Sequence, residues 1–204
     1  NAGGGVSTSF LIAGGATATA FVASTEEFNT AGATDTIQNE GQIYYNSTDG
    51  TMNITSTVFG TGAWSSGGNL NQARIEMAGG GSQTAGIIAG GDVPPDTANT
   101  ELYNGSAWTE VANLNTDRRM GLGAGSQTSF VCAGGYDGSG SPASETWDGS
   151  SWSEIAEMNT VRWAGGSAGA DTESFIGFGG NPNTVACETW NGTAWTEVNN
   201  LNTA

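Results

Sequence analysis

Short apolar runs recur along this chain, and a pair of glycines closes each one. Ser9-Phe10-Leu11-Ile12-Ala13, Ala85-Gly86-Ile87-Ile88-Ala89, Ser129-Phe130-Val131-Cys132-Ala133 and Ser174-Phe175-Ile176-Gly177-Phe178 lead into Gly14-Gly15, Gly90-Gly91, Gly134-Gly135 and Gly179-Gly180. Such runs, bounded by turn residues, predict strands buried on both faces. The glycine pair lets the backbone turn sharply or approach a neighbour where a Cβ would clash. A polar loop and a second strand follow: Ser24–Asn29, Thr100–Asn104, Ser144–Asp148 and Cys187–Asn191, each ending on an aromatic and then Asn or Asp. In the last three a glycine comes next (Asn104-Gly105, Asp148-Gly149, Asn191-Gly192), and these dipeptides are strong hairpin signals. A third strand opens at tryptophan in Trp108-Thr109-Glu110-Val111, Trp152-Ser153-Glu154-Ile155 and Trp195-Thr196-Glu197-Val198. Its alternation fits a strand with one buried face.

The period is regular. Trp64, Trp108, Trp152 and Trp195 are spaced by 44, 44 and 43 residues, and each leads to Asn-x-x-Arg or its remnant (Asn71/Arg74, Asn115/Arg118, Asn159/Arg162, Asn202). A repeat in the forties with this punctuation predicts a four-stranded antiparallel meander per unit, which is one propeller blade. The pattern resembles the kelch repeat, in which an apolar strand ends in Gly-Gly and an aromatic with an acidic or amide residue follows. Trp, then Leu or Met, then Arg complete it. The third unit reads Phe130-Val131-Cys132-Ala133-Gly134-Gly135, Trp147-Asp148, Trp152, Met158, Arg162. The resemblance implies an all-β fold of kelch-like β-propeller blades, four repeats with four strands each, carrying one β-hairpin insertion. Residues 1-29 and 62-204 would form the blades, and 30-61 the inserted hairpin module within the first repeat. Two readings stay open for the array: a closed four-bladed ring, or four consecutive units of a longer one. The absence of an initiator Met before Asn1 and of a capping repeat favours the second, and the chain is expected to be a processed or partial segment.

Between Asn29 and Trp64 the chain carries 31 more residues than between Asn104 and Trp108. Gly41–Asn46 and Thr51–Thr55 flank Ser47-Thr48-Asp49-Gly50 and predict a hairpin. The hairpin resembles short Gly-Gln-Ile-Tyr-Tyr-Asn-Ser-Thr-Asp-Gly modules of bacteriophage tail and virion proteins. Trp64–Asn71 and Ser82-Gln83-Thr84-Ala85-Gly86 are similar to kelch-like arrays in virion proteins of aquatic phages. This resemblance implies a non-enzymatic virion structural protein, a tail-fibre or tail-associated module for host-surface attachment or particle assembly. Its implied partners are other virion proteins and a host surface glycan, in a homo-oligomer on the extracellular particle. The rival readings are a bacterial cell-surface adhesion propeller and a carbohydrate-active enzyme.

Charge narrows the partners. Twenty acidic residues stand against four basic ones, all arginine, for a net charge of −16 with no histidine. A field of that sign repels phosphate backbones and argues against nucleic-acid binding. No apolar run approaches the length of a membrane-spanning helix. Cys132 and Cys187 fall at different repeat positions, which suggests no bridge between them, and neither has metal or redox spacing.

Chemistry is sparse. The galactose oxidase type of kelch propeller holds copper with histidine and tyrosine; without histidine that site cannot be built, and a serine-protease base is missing too. Glu101, Glu145 and Glu188, with Glu26 at the same repeat position, could form carboxylate pairs. Their repetition instead predicts a structural role, accepting backbone or arginine hydrogen bonds between blades, with Arg74, Arg118 and Arg162 as partners. Asp92…Asp96 and Asp137-Gly138-Ser139-Gly140 could crowd oxygens around calcium but lack a recognised spacing, so solvated turns are expected. Six of the seven tryptophans are repeat residues and are assigned to the core. Tyr44, Tyr45 and Trp163 fall outside the repeat pattern and are the candidates for a contact surface. No catalytic residue, cofactor or metal ligand is expected.

Overall fold

The computed structural model describes residues 65–203 with their side chains, together with the backbones of strands at 2–6, 9–16, 21–29, 43–46, 51–54 and 63–66. The chain is all-β, with no helix among the described residues. Unit 1 contains β1 (Ala2–Val6), β2 (Ser9–Ala16), β3 (Phe21–Asn29) and β6 (Ala63–Ser66); β4 (Ile43–Asn46) and β5 (Thr51–Ile54) pair in a separate two-stranded sheet. Unit 2 contains β7 (Ala78–Ser82), β8 (Ala85–Ala89), β9 (Thr100–Tyr103) and β10 (Trp108–Val111). Unit 3 contains β11 (Leu122–Ser126), β12 (Ser129–Ala133), β13 (Ser144–Trp147) and β14 (Trp152–Ile155). Unit 4 contains β15 (Gly166–Asp171), β16 (Ser174–Phe178), β17 (Cys187–Trp190) and β18 (Trp195–Val198). Each unit is a four-stranded antiparallel meander, blade-like in form.

Register repeats with the sequence. An aromatic pair closes each outer hairpin: Tyr103↔Trp108, Trp147↔Trp152 and Trp190↔Trp195, with Phe28↔Trp64 in the same register. The first three pairs tilt at centroid separations of 5.0, 5.5 and 5.6 Å, where cross-strand aromatic pairs stabilise antiparallel sheets. At each turn an Asn or Asp side chain replaces water for backbone donors: Asp148 Oδ1 accepts from the N–H groups of Ser150 and Ser151, each at 2.8 Å.

Both faces of β8 and β12 are buried, as their continuous apolar runs require; β16, expected to be buried on both faces too, buries Phe175 and leaves Ile176 half-buried. On β12, Phe130 and Cys132 pack toward unit 2 with Ile87, Ala89 and Leu114, while Val131 and Ala133 pack toward unit 4 with Phe175, Trp190 and Trp195. The core is therefore a series of layers between successive sheets rather than one central mass. Cys132 lies in it with no exposed surface, and both cysteines are free.

The innermost strands are the ones their own sequences signal least. Ala-Gly-Gly-Gly-Ser (β7) and Leu-Gly-Ala-Gly-Ser (β11) have little strand propensity. They are strands because β7, β11 and β15 pack side by side, and β1 packs against β7 in the same way. Glycine permits that approach: a Cβ on Gly123 would fall 2.6 Å from the Phe130 ring and 2.8 Å from Ala78 Cβ. Among the described strands β15 has no comparable packing against β1.

Candidate functional site

The repeated carboxylates and arginines are consumed inside the fold. Arg118 Nη1 donates to the carbonyls of Gly134 (3.1 Å) and Ala143 (2.6 Å), and Nη2 donates to Glu145 Oε1 at 2.6 Å. Glu145 Oε2 accepts the backbone N–H and the Nδ2 amide of Asn115, both at 2.8 Å. Arg162 repeats this with Gly179, Ala186 and Glu188, and Arg74 with Gly90, Asn99 and Glu101. All six ionic side chains are at most 2% exposed. A planar guanidinium can satisfy two carbonyls and a carboxylate at once, which is why arginine rather than lysine holds this place. The sequence suggests that these bonds run between blades. The structure places them differently: each arginine ties the incoming linker to the unit it introduces.

Backbone bonds through the linkers join successive units, beside side-chain bonds such as those from Gln127 Nε2 to the carbonyls of Gly86 and Tyr103. Arg118 C=O accepts from Gly91 N–H, and Arg162 C=O from Gly135 N–H, each at 2.9 Å. Gly91 and Gly135 have φ of +120° and +113°, a region glycine enters freely. Two residues after each arginine sits a non-glycine in the left-handed region: Glu76, Met120 and Ala164, with φ of 60°, 54° and 54°. Their amides form a stair across the units, Ala164 N–H to Met120 C=O at 2.9 Å and Met120 N–H to Glu76 C=O at 2.6 Å. Residues in this region store strain that the surroundings must overcome.

At the same end of units 2 to 4 the non-repeated side chains gather. The bridges Ile75↔Asp92, Arg119↔Tyr136 and Trp163↔Asn181 occupy equivalent places in successive units. Tyr136 meets the Trp163 ring edge-on at 5.6 Å, and the Arg119 guanidinium lies 4.9 Å from the Tyr136 centroid. Arg119 also faces Glu76, Asp92 and Asp96 at 3.5, 3.6 and 3.3 Å. Its side chain is 30% exposed, so these pairs are partly screened by water. Partial burial raises the pKa of Glu76 and of Asp96; Arg119 offsets this in part, and Asp92 adds to it for both. The result is a continuous half-exposed ridge of carboxylates, guanidinium, phenol and indole.

Trp163 thus lies on this ridge, half-buried, with its ring over Gly140. Tyr44 and Tyr45 pair with Asn53 and Met52 on the β4–β5 hairpin, and their side chains lie outside the described residues. Sequence reasoning missed Arg119 and Tyr136. Both were legible as departures from the repeat: a second arginine directly after the repeat arginine, and a tyrosine directly after a glycine pair.

Other titratable groups have local explanations. Hydrogen bonds from Ser151 and Ser150 hold Asp148 down to about 2. Burial pushes the Cys132 thiol up to about 11, which keeps it protonated and unreactive. No group of three or more His, Cys, Asp or Glu among the described residues has the arrangement to hold a metal ion. No described helix is long and apolar enough to cross a membrane. No protein-family model matches the chain, and no curated protein matches it.

Proposed function

We propose that this chain is a non-enzymatic structural module of a phage virion, built of kelch-like propeller blades. It acts in a tail fibre or tail-associated part that attaches to a host surface or builds the particle. One observation supports the non-enzymatic half of this reading: the repeated Arg–Glu pairs are buried and bonded to each other. The ridge of Arg119, Tyr136 and Trp163 is what faces outward, and half-exposed aromatics beside a guanidinium suit contact with a sugar or a protein surface. The virion half rests on the resemblance of the inserted hairpin and of the Ser-Gln-Thr turns to phage proteins.

The test has two arms. Mass spectrometry of purified particles places the chain in the virion or excludes it. Binding of the chain to host envelope polysaccharide is expected to fall about tenfold or more in Trp163→Ala, with thermal unfolding measured alongside to separate lost contact from lost folding. Depolymerisation of that polysaccharide by the chain would overturn the non-enzymatic reading.

A further inference from the structure

The outer hairpins of units 2, 3 and 4 share one turn, with a single chemical difference. The turns cover residues 104–107, 148–151 and 191–194; an aromatic pair closes each, and glycine is its second residue. In unit 3 the first residue is an acid, Asp148; in units 2 and 4 it is the amide of that acid, Asn104 and Asn191. The side-chain oxygen is held alike in all three. Asp148 Oδ1 accepts the N–H groups of Ser150 and Ser151, each at 2.8 Å. Asn104 Oδ1 accepts those of Ser106 and Ala107 at 3.0 and 2.9 Å, and Asn191 Oδ1 those of Thr193 and Ala194 at 3.0 and 2.9 Å. A carboxylate accepts such bonds more strongly than an amide does, so these turns are already built for the acid.

The same bonds activate the amide. The glycine nitrogen is joined to the asparagine's own carbonyl carbon, so its attack on Cγ closes a five-membered ring. Glycine has no Cβ to shield that nitrogen. Negative charge grows on Oδ1 during the attack. The N–H donors stand 2.9 to 3.0 Å from that oxygen, the distance at which fixed N–H groups stabilise an oxyanion. Asn104 and Asn191 are both exposed, so water reaches the ring that forms.

We propose that Asn104 and Asn191 are self-modifying sites, at which the folded turn converts asparagine into the aspartate that unit 3 already carries. The Gly105 nitrogen gives its proton to solvent and bonds to Asn104 Cγ, and the carbonyl electrons move to Oδ1. Their return breaks the Cγ–Nδ2 bond, and Nδ2 takes up a proton and leaves as ammonia. Water then adds to Cγ of the cyclic imide. The bond from Cγ to the glycine nitrogen breaks, that nitrogen regains its proton, and the new acid passes its own proton to ammonia. One water is consumed and one ammonium ion released per site, and the two conversions take the net charge from −16 to −18. The turn amides polarise Cγ rather than the main-chain carbonyl, so water enters at Cγ and the product is aspartate rather than isoaspartate.

The two sites differ in strength. At Asn104 the Ser106 hydroxyl adds a third donor to Oδ1, at 2.9 Å. At Asn191 the side chain of Glu173 packs beside the glycine: a Cβ on Gly192 would fall 3.1 Å from Glu173 Cγ, where Thr84 holds the same place beside Gly105. The charge of Glu173 opposes the growing oxyanion, which makes Asn104 the faster site. This inference stands apart from the attachment reading and needs none of the ridge residues.

The test follows the 204-residue chain over time in mildly alkaline buffer, one portion folded and one in concentrated urea. Samples are cleaved at arginine and read by mass spectrometry, with aspartate and isoaspartate separated; Arg118 and Arg162 lie between Asn104 and Asn191, which puts the two on different peptides. In the folded chain both sites are expected to convert, Asn104 about threefold or more faster, the worth of one modest hydrogen bond. In urea the two rates should converge and the share of isoaspartate should rise. Ser106→Ala is expected to slow Asn104 about threefold or more in the folded chain and not in urea. Asp148→Asn is expected to revert to aspartate at a rate near that of Asn104. Ser106 and Asp148 are exposed, and thermal unfolding shows that each variant is folded at the assay temperature. Asparagines that persist in the folded chain while converting in urea overturn the proposal. So do equal rates at the two sites that Ser106→Ala leaves unchanged, or a folded-state product no richer in aspartate than the product in urea.

Discussion

Replacing Glu145 with alanine leaves the Arg118 guanidinium at 2% exposure without its counter-charge. Breaking a buried pair from one side costs about 3–5 kcal/mol, because a desolvated charge is left uncompensated. Urea unfolding of Glu145→Ala should therefore show a large loss of stability. The double variant Arg118→Met, Glu145→Leu should lose less than Glu145→Ala alone, since it removes both charges together. Equal losses would mean that the pair contributes through packing rather than charge. The same logic explains why an acidic protein places three of its four arginines inside: each serves carbonyls and a carboxylate that water no longer reaches. The identity of these pairs was legible at this scale, because Arg74, Arg118 and Arg162 keep constant spacing from Glu101, Glu145 and, within one residue, Glu188. Which unit each pair serves was not legible, because spacing alone does not say on which side of the linker the bond falls.

Strands of two kinds make up each unit, and they owe their form to different causes. β8 and β12 are apolar on both faces and form strands by their own composition. β7 and β11 are glycine-rich and become strands through close packing of inner edges, as the Gly123 environment shows. The stair of left-handed residues that links units is also an element-scale feature, and Ala164 is its exposed member. A left-handed L-residue costs about 1–2 kcal/mol relative to glycine, partly offset by the greater freedom glycine has when unfolded. Ala164→Gly should therefore stabilise the chain by up to about 1 kcal/mol, against the usual trend for alanine-to-glycine changes, as read by chemical denaturation. A clear loss of stability would show that the stair is not strained at that point.

At the scale of the molecule, stability comes from layers between sheets, so each unit depends on its neighbours. Electrostatics oppose this assembly. With three arginines neutralised in buried pairs, the surface carries almost only carboxylates, and their mutual repulsion destabilises the compact state. Raising sodium chloride from about 10 mM to about 150 mM shortens the screening length from about 30 Å to about 8 Å. The unfolding midpoint should rise over that range, and it should rise equally with potassium chloride. An effect confined to one cation would point to a specific ion site instead of screening.

The sequence by itself determined the unit and its count: apolar runs, Gly-Gly pairs, aromatic-Asn/Asp turns and tryptophans are local signals, each set by backbone sterics or side-chain periodicity within a few residues. It also determined that Glu101, Glu145 and Glu188 belong to structure, because a feature repeated once per unit serves the unit. Only the tertiary structure decided which side of each linker the Arg–Glu bonds serve and that glycine-rich segments pair as inner strands. It also brought Arg119, Tyr136 and Trp163 together on one ridge. These depend on contacts between residues tens of positions apart, where the energy lies in which surfaces meet rather than in what any short stretch prefers.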